Sequence, residues 1–256
     1  MLTYSVNIWI VLKNQLAFWY FTHLWSLSVE EQFYLFWPFL VLFFPLRRFK
    51  AIVLFIICAA VALRIVATLY FENFHLFNYV ALPAALDCFG AGALLAFLKT
   101  FKLEQLYKIL RHFYLVPVIL SFYVLGNIFE LKLIQEGFGR FSHAFAGFYL
   151  VGIATTIQFK SVFKTILENK IIMYLGQISY GMYIYHLLIW GSFGEYFNTF
   201  IQKSSTMISI NSVLPERFLE FVFITICTIL VSTLSYELFE KQILKLKKYA
   251  IYSSKG

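Results

Sequence analysis

The side chains best suited to chemistry are concentrated between residues 23 and 38. This stretch reads His-Leu-Trp-Ser-Leu-Ser-Val-Glu-Glu-Gln-Phe-Tyr-Leu-Phe-Trp-Pro, so a histidine, two adjacent carboxylates and two tryptophans lie at the start of a long apolar run. Histidine and glutamate are frequent proton carriers in general acid–base catalysis. A carboxylate at the mouth of an apolar helix is costly unless it is paired or hydrated, so we expect Glu30 to face a bundle interior or a wet cavity.

The two carboxylates allow different interpretations. Ser28 and Glu31 have the spacing of a capping box, in which the serine oxygen accepts from a backbone N–H and the glutamate reaches back to the cap. This interpretation makes Glu31 structural. Glu30 is not needed for the cap and shares a helical face with Tyr34 and Trp37, so it is the stronger candidate for a function.

Three further ionisable residues lie inside apolar stretches: Arg64, Asp87 and His186. At about 1.5 Å per residue, these three residues lie roughly 10, 12 and 8 Å from one end of their predicted helices. In each case this is the end on the same side of the predicted bundle as Glu30. Taken singly, Arg64 and Asp87 can form a structural ion pair, and His186 can be a hydrogen-bonded packing residue. Taken together, they can solvate one another only if they converge, which favours a hydrated site opening outward.

A second polar pattern surrounds His186. Ser179, Tyr183 and His186 stand at i, i+4 and i+7 and form one polar stripe on an otherwise apolar helix. Near the first motif, His23 and Trp25 have a simpler alternative role as anchors at a membrane interface, where amphipathic rings are common. Both patterns therefore remain open between function and structure.

Several common chemical motifs are absent from the sequence. It contains no Gly-rich phosphate loop, no zinc-spaced set of His and Cys, and no G-x-S-x-G elbow. The cysteines have no CxxC spacing and lie in apolar stretches: Cys58, Cys88 and Cys227. The cysteines therefore indicate nothing about disulfides or metals. Since the other motifs are absent, we predict no metal site and no bound cofactor.

The elements that position these residues follow from the composition. Hydrophobic residues make up 61% of the chain, aromatic residues 21% and charged residues only 13%, which indicates a polytopic membrane protein. Apolar segments of about 20 residues span a bilayer. The sequence predicts an all-α membrane helix bundle of about seven spans, near residues 29–46, 51–71, 79–98, 113–129, 141–159, 171–191 and 218–240. We interpret residues 4–21 as an interfacial or partial segment.

Basic residues orient the predicted bundle. Fifteen Lys and Arg residues follow the first, third, fifth and seventh spans and so lie on one side of the predicted bundle. Five lie on the opposite side, and Arg64 is inside a span. Loops rich in Lys and Arg stay in the cytoplasm, so the C-terminus is predicted to be cytoplasmic and the N-terminus outside. This rule and the attraction of anionic lipid explain the net charge of +8, so no nucleic-acid partner is required.

Other features are expected to be structural. Small residues in the third and fifth spans let helices approach closely: Gly90, Gly92, Ala93, Ala96, Gly147 and Gly152. Glu237 and Glu240 lie beside Lys241 at the end of the last span, which favours a surface ion pair over catalysis.

An outside N-terminus requires a translocation signal. Residues 1–22 lack the basic start, apolar core and small-residue cleavage site of a signal peptide. We therefore expect that part of the protein precedes Met1.

At these residues the chain resembles the acyltransferase 3 family of integral membrane enzymes, which O-acylate bacterial surface polysaccharides and related molecules. The resemblance rests on Trp25-Ser26-Leu27-Ser28-Val29-Glu30-Glu31-Gln32-Phe33-Tyr34 with Trp37-Pro38. Weaker support comes from Gly176-Gln177-Ile178-Ser179-Tyr180-Gly181-Met182-Tyr183 with His186, and from Leu86-Asp87 to Gly92-Ala93-Leu94-Leu95-Ala96. It therefore extends over nearly the whole chain.

The resemblance implies a fold of about ten spans, of which this chain would be the last part. Three earlier helices would place residue 1 outside, in agreement with the charge distribution. It also implies an acyl-CoA donor substrate on the cytoplasmic side and a sugar hydroxyl as acceptor on the outer side. The family's arginine and catalytic histidine, both in its first helix, and the basic motif that follows have no counterpart here.

The resemblance assigns roles to the polar residues. The catalytic candidates are Glu30, His23 and His186, with either histidine as a substitute for the missing base and Glu30 orienting a base or the acceptor. The substrate-binding candidates are Trp25, Ser26, Glu31, Tyr34, Arg64, Asp87, Ser179 and Tyr183. Without the family histidine, which as a general base is worth about 10² to 10⁴ in rate, little activity is expected.

These observations predict an O-acyltransferase that moves an acyl group, acetyl above all, from acyl-CoA to a surface polysaccharide. Residues 1–241 form a partial acyltransferase 3 membrane domain and residues 242–256 a short basic tail, in the bacterial cytoplasmic membrane. The alternative is a non-catalytic multi-pass protein, either a transporter or a decayed remnant. Nothing in the sequence indicates the repeated broken helices common in transporters.

Overall fold

A computed structural model describes residues 4–16, 19–71, 75–156, 162–208 and 213–246 of the chain. Every regular element within these ranges is helical, which confirms the predicted all-α class. The chain divides into two compact units. The first comprises Met1–Ala17 and Thr22–Gln158, and the second comprises Phe18–Phe21 and Phe159–Gly256.

The first unit contains eight α-helices among its described residues: α1 (Val6–Lys13), α2 (Leu24–Phe43), α3 (Leu46–Tyr70), α4 (His75–Val80), α5 (Leu82–Phe101), α6 (Leu103–Leu110), α7 (Leu115–Ile128) and α8 (Gly139–Thr156). A π-helical turn, Leu133–Phe138, directly precedes α8. Proline fixes two helix starts, because Pro45 caps α3 and Pro83 lies in the first turn of α5, where a missing N–H costs nothing.

Helix α5 is central to the first unit and packs against α3 and α8. Its second half forms a hydrophobic core with α6 and α8, made of Leu95, Leu98, Leu106, Leu110, Phe148 and Tyr149. A smaller cluster joins α1 to α4 through Ile10, Leu76 and Val80. The predicted partial segment before α2 is thus a short helix anchored by its own apolar contacts.

The second unit is built mainly from two long helices that pack against each other. Its described elements are a one-turn helix (Trp19–Phe21), α9 (Val162–Leu167), α10 (Lys170–Ile208), α11 (Val213–Ser235), a π-helical turn (Tyr236–Glu240) and α12 (Lys241–Leu246). Glu237 and Lys241 form the predicted ion pair, with 2.6 Å between Oε2 and Nζ. The predicted basic tail beyond Leu246 lies outside the described residues.

The structure contains fewer clear membrane spans than the sequence predicted. Among the described residues, three helical segments are long and apolar enough to cross a bilayer: Leu46–Tyr70, His75–Phe101 and Arg217–Leu246. A fourth is possible if α6 and α7, which meet at a 56° bend, count as one span. The predicted count of seven is not confirmed, because polar residues such as Glu30, Arg140 and Gln177 reduce the hydropathy of α2, α8 and α10.

The boundaries of the first predicted span also differ. The structure begins α2 at Leu24 and ends it at Phe43, before Pro45, whereas the sequence placed this span at 29–46. The basic residues expected in the following loop, including Arg47 and Arg48, lie instead in the first turns of α3.

The small residues predicted to mediate packing behave in two ways. A Cβ atom added at Gly90 would lie 2.6 Å from Cγ1 of Ile57, and one at Gly152 would lie 2.9 Å from Leu110. These two glycines permit close helix contacts, as predicted. At Gly92 and Gly147 the prediction is wrong within the described residues, because an added Cβ meets no atom within 4 Å.

We expect Gly90→Ala to destabilise the protein by about 1–3 kcal/mol, because the new methyl group overlaps Ile57 near its branch point and α3 and α5 must separate. Gly92→Ala is the matched control in the same helix. It meets no neighbour and should be neutral or stabilise by up to about 1 kcal/mol through helix propensity. Thermal unfolding of both variants in detergent tests the difference, and equal melting temperatures would contradict the close contact.

Candidate functional site

The motif rich in polar side chains, residues 23–38, forms the N-terminal part of α2. Because α2 begins at Leu24, Ser28 lies inside the helix, and its Oγ donates a hydrogen bond to the carbonyl oxygen of Leu24 over 3.2 Å. The capping-box prediction for Ser28 and Glu31 is therefore wrong. Helix α2 starts about one turn before Ser28, so the N–H groups without a partner in the helix lie upstream of this serine.

The candidates at the start of α2 differ in exposure. His23 is the buried N-cap residue, and its carbonyl oxygen accepts from the Ser26 hydroxyl over 3.3 Å. Glu31 is half-buried, whereas Glu30 is exposed along the side of α2. Tyr34 is also exposed, one turn after Glu30, as their predicted common face requires. Glu30 therefore does not face the interior of its unit, where a carboxylate in an apolar helix was expected, and is accessible to a substrate or to another helix.

Other residues of the motif have structural roles that the sequence did not reveal. The Gln32 and Asn7 side chains exchange two amide hydrogen bonds of 2.9 and 3.0 Å, which join α2 to α1. Phe33 stacks on Phe89 of α5, with ring centroids 4.1 Å apart. The motif therefore holds α2 against its neighbours in addition to presenting Glu30.

Arg64 and Asp87 form a buried ion pair between α3 and α5. Arg64 Nη2 lies 2.6 Å from Asp87 Oδ2, and the side chains are only 1% and 0% exposed. The same guanidinium donates to the carbonyl oxygens of Ala84 and Gly137, the latter over 3.1 Å. Asp87 Oδ1 accepts from the backbone N–H of Cys88. The nitrogens of the Arg64 guanidinium and both carboxylate oxygens of Asp87 therefore have hydrogen-bond partners. This agrees with the interpretation of the two residues as a structural ion pair.

A polar network extends from this pair toward the surface. Asn78 on α4 donates through Nδ2 to Glu136 on the π-helical turn and to Thr68 on α3, each over 3.1 Å. Thr68 in turn donates to the carbonyl oxygen of Arg64 over 2.8 Å. Three separate elements therefore meet at a buried polar centre.

The network forms one wall of a cleft of about 720 Å³ within the first unit. We call it the polar cleft. Its polar and aromatic lining comes from Arg64, His75, Asn78, Tyr79, Tyr123, Gln135, Glu136, Arg140 and His143. Trp25 lies behind this wall, with its ring 5.0 Å from that of Tyr79 and 5.9 Å from the Arg140 guanidinium. Most of these residues were not singled out from the sequence.

The polar stripe predicted on α10 belongs to the second unit. Ser179 is exposed, and its hydroxyl donates to the carbonyl oxygen of Gly176 over 2.8 Å. One to two turns later, the rings of Tyr183 and His186 lie 5.7 Å apart. His186 Nδ1 must carry hydrogen, because it lies 2.7 Å from the carbonyl oxygen of Tyr183, which can only accept.

Tyr183 and His186 line a second cleft, of about 520 Å³, with largely apolar walls from α10 and α11. Its polar end is Glu220, which is buried. Glu220 accepts from Trp190 Nε1 over 2.9 Å and from Arg217 over 3.2 Å. Glu220 was not predicted as a site residue from the sequence. Its position inside the predicted span 218–240 was a sufficient signal, because acidic residues are rare within apolar spans.

The structure brings together only part of the predicted set. Arg64 and Asp87 form an ion pair and Trp25 contacts Tyr79 and Arg140 of the polar cleft, whereas Glu30 occupies the exposed side of α2 in the same unit. His186, Ser179 and Tyr183 belong to the other unit. Among the described residues, no three His, Cys, Asp or Glu side chains are placed to share a metal ion.

The sequence of the chain matches the family model Acyl_transf_3, described as "Acyltransferase domain", over residues 1–237. This range contains both units' main helices and every candidate residue described above. No solved structure is significantly similar to the chain.

Several curated relatives come from Staphylococcus aureus. "Putative O-acetyltransferase SACOL0978" of strain COL is 28% identical over 210 residues, which cover 73% of this chain and 33% of that protein. "O-acetyltransferase OatA" of strain NCTC 8325 / PS 47 is 29% identical over 201 residues, covering 72% and 32%. The chain therefore spans about a third of the length of the curated relatives it matches.

Proposed function

The chain belongs to the acyltransferase 3 family, and from this we propose that it functions in O-acyl transfer from acyl-CoA to a hydroxyl group of a cell-surface polysaccharide. The observation that carries the proposal is the family match over residues 1–237, which includes the Glu30 motif. The names of its relatives, which are O-acetyltransferases, favour acetyl as the group transferred.

We propose that the protein resides in the bacterial cytoplasmic membrane with its C-terminus in the cytoplasm. The apolar helices of the structure support a membrane location. The orientation rests on the excess of Lys and Arg after alternate predicted spans. In this orientation the basic segments, including Lys108 and Arg111 around the end of α6, lie on the side where acyl-CoA is available.

The reaction requires a hydroxyl oxygen to attack the thioester carbonyl carbon of the donor. The carbon–sulfur bond breaks, the acyl group forms an ester with the acceptor, and the proton of the hydroxyl passes through a base to the coenzyme A thiolate. Glu30, accessible on α2, hydrogen-bonds the acceptor or orients a base. His23, at the start of the same helix, and His186, on α10, are the candidates for the base within this chain.

We expect Glu30→Gln to lower O-acetylation of surface glycans by at least about tenfold, since an amide keeps the shape of the side chain but cannot hold a proton or charge. The measurement is base-labile acetate released from the surface polysaccharide of a bacterial host that lacks its own enzymes of this family.

Glu237→Gln is the matched control, because it makes the same change in an exposed ion pair at the other end of the chain. It should leave acetylation unchanged. If Glu30→Gln acetylates normally at normal protein level, Glu30 has no part in the transfer. If the unaltered chain adds no acyl group to any surface glycan, the proposed activity is wrong for this chain.

A further inference from the structure

The polar cleft contains two buried polar atoms that lack a hydrogen-bond partner among the described residues. One is an acceptor, Oδ1 of Asn78, on a residue that is only 5% exposed. The other is a donor, Nη1 of Arg140, whose second nitrogen, Nη2, donates to the carbonyl oxygen of Tyr79. Buried polar groups are almost always paired in native proteins, so each of these two atoms requires a partner that the described residues do not supply.

The orientation of the Asn78 amide is fixed by its neighbours. Its nitrogen faces the carboxylate of Glu136, 3.1 Å away, and the carbonyl oxygen of Arg64, 3.5 Å away. Both can only accept hydrogen bonds, so the amide cannot be reversed. The oxygen that remains without a partner is therefore an acceptor that needs an incoming donor.

Hydroxyl groups match both requirements, because a hydroxyl can donate to Asn78 Oδ1 and can also accept from Arg140 Nη1. A water molecule has the same chemistry but occupies only about 30 Å³. The cleft is far larger, at about 720 Å³, and accommodates a molecule carrying several hydroxyl groups.

The charges in the cleft select a neutral ligand. Arg64 is neutralised by Asp87 in the buried pair, and the lining also holds one further cation, Arg140, and one further anion, Glu136. A coenzyme A molecule, with several phosphate charges, would find no excess of positive charge there. The aromatic rings of Tyr79 and Tyr123 supply apolar surface with polar tips, as suits a sugar ring.

His143 adds a second acceptor. Its Nδ1 lies 2.7 Å from the carbonyl oxygen of Gly139 and must donate to it. In the neutral ring Nε2 is then an unprotonated acceptor. Because His143 is exposed and lines the cleft, this nitrogen is accessible to a second hydroxyl group.

We infer that the polar cleft binds the acceptor of the acyl group, a neutral saccharide unit, through Asn78, Arg140 and His143. The choice of ligand rests on the proposed function. In the proposed orientation, the segments that carry these residues follow the spans near 51–71 and 113–129 and therefore lie on the outer side, where a surface glycan is available.

The test measures saccharide binding directly. The full chain in lipid nanodiscs is titrated with neutral tetrasaccharides of glucose, mannose and N-acetylglucosamine, and binding is followed by saturation-transfer NMR. We expect at least one of them to bind. Arg140→Met should weaken that binding by about tenfold, because a charge-assisted hydrogen bond is lost. Arg140→Lys should weaken it nearly as much, since the geometry of the guanidinium and not its charge recognises a neutral ligand.

Lys132→Met is the matched control, because it removes a positive charge from the same predicted side but outside the cleft. It should leave affinity unchanged. If Arg140→Met fails to fold, as a melting curve will show, His143→Ala takes its place, because the exposed His143 is not needed for packing. We expect His143→Ala to weaken binding severalfold.

The inference is overturned if no tetrasaccharide binds, if the cleft variants bind as tightly as the unaltered chain, or if acetyl-CoA displaces the saccharide. These results are separable from the proposed function. Saccharide binding without acetylation in cells would contradict only the proposed reaction. Acetylation without saccharide binding at the cleft would contradict only the acceptor site.

Discussion

Replacing Asp87 with alanine is expected to lower the free energy of unfolding by about 3–5 kcal/mol, because it leaves the Arg64 guanidinium buried without its counter-charge. Arg64 is 1% exposed and Asp87 is 0% exposed, so water cannot replace the lost carboxylate. The two remaining carbonyl acceptors, on Ala84 and Gly137, do not neutralise the positive charge.

A double-mutant cycle distinguishes the cost of the unpaired charge from the worth of the pair. Arg64→Met combined with Asp87→Ala leaves no buried charge, so the double variant should be more stable than Asp87→Ala alone. Unfolding by denaturant in mixed micelles provides the free energies. Glu168→Gln, which breaks the exposed pair of Glu168 with Lys164, is the control and should change stability by less than about 0.5 kcal/mol.

If Asp87→Ala unfolds at the same denaturant concentration as the unaltered chain, the buried pair does not stabilise the fold. If the double variant is less stable than Asp87→Ala, the guanidinium stabilises the unit through its carbonyl contacts, and the explanation from unpaired charge is wrong.

Leu98→Ala is expected to cost about 2–4 kcal/mol, because it opens a cavity where α5, α6 and α8 meet. The Leu98 side chain is fully buried, and its cluster includes Leu106, Leu110 and Phe148. In a bilayer the unfolded helix already lies among lipid chains, so most of this cost is lost dispersion contact and little of it is transfer from water.

Leu103→Ala provides the control for Leu98→Ala, since Leu103 starts α6 and is 43% exposed. It removes the same three carbons without creating an enclosed cavity and should cost less than about 1 kcal/mol. Melting temperatures of the two variants in the same detergent check the difference. Similar losses from both variants would show that α6 does not close the core.

Much of the fold class and part of the site could be predicted from the sequence. The strong apolar bias required helices that satisfy their own backbone hydrogen bonds. Arg64 and Asp87 stood out because ionised side chains are rare inside apolar segments. The motif around Glu30 predicted the family, which the match over residues 1–237 confirms.

Other residues could not be found in this way. Glu136 and Asn78 are 58 positions apart, and each belongs to a short segment between long apolar runs, where polar residues are common. Only their contact gives them a role. The capping-box prediction was wrong for a related reason. The pattern of Ser28 and Glu31 fits both the start and the interior of a helix. In the structure α2 begins upstream of this pattern, at Leu24.

The sequence by itself determined that this chain is a helical protein of the acyltransferase 3 family, since composition and a local motif depend only on residues close together in the chain. The tertiary structure decided which polar residues meet. It paired Arg64 with Asp87, joined Asn78 to Glu136 and placed Asn78 and Arg140, each with one unpartnered polar atom, in the lining of one cleft. The physical reason is that hydrogen bonds and ion pairs depend on distances of about 3 Å, which helix packing sets.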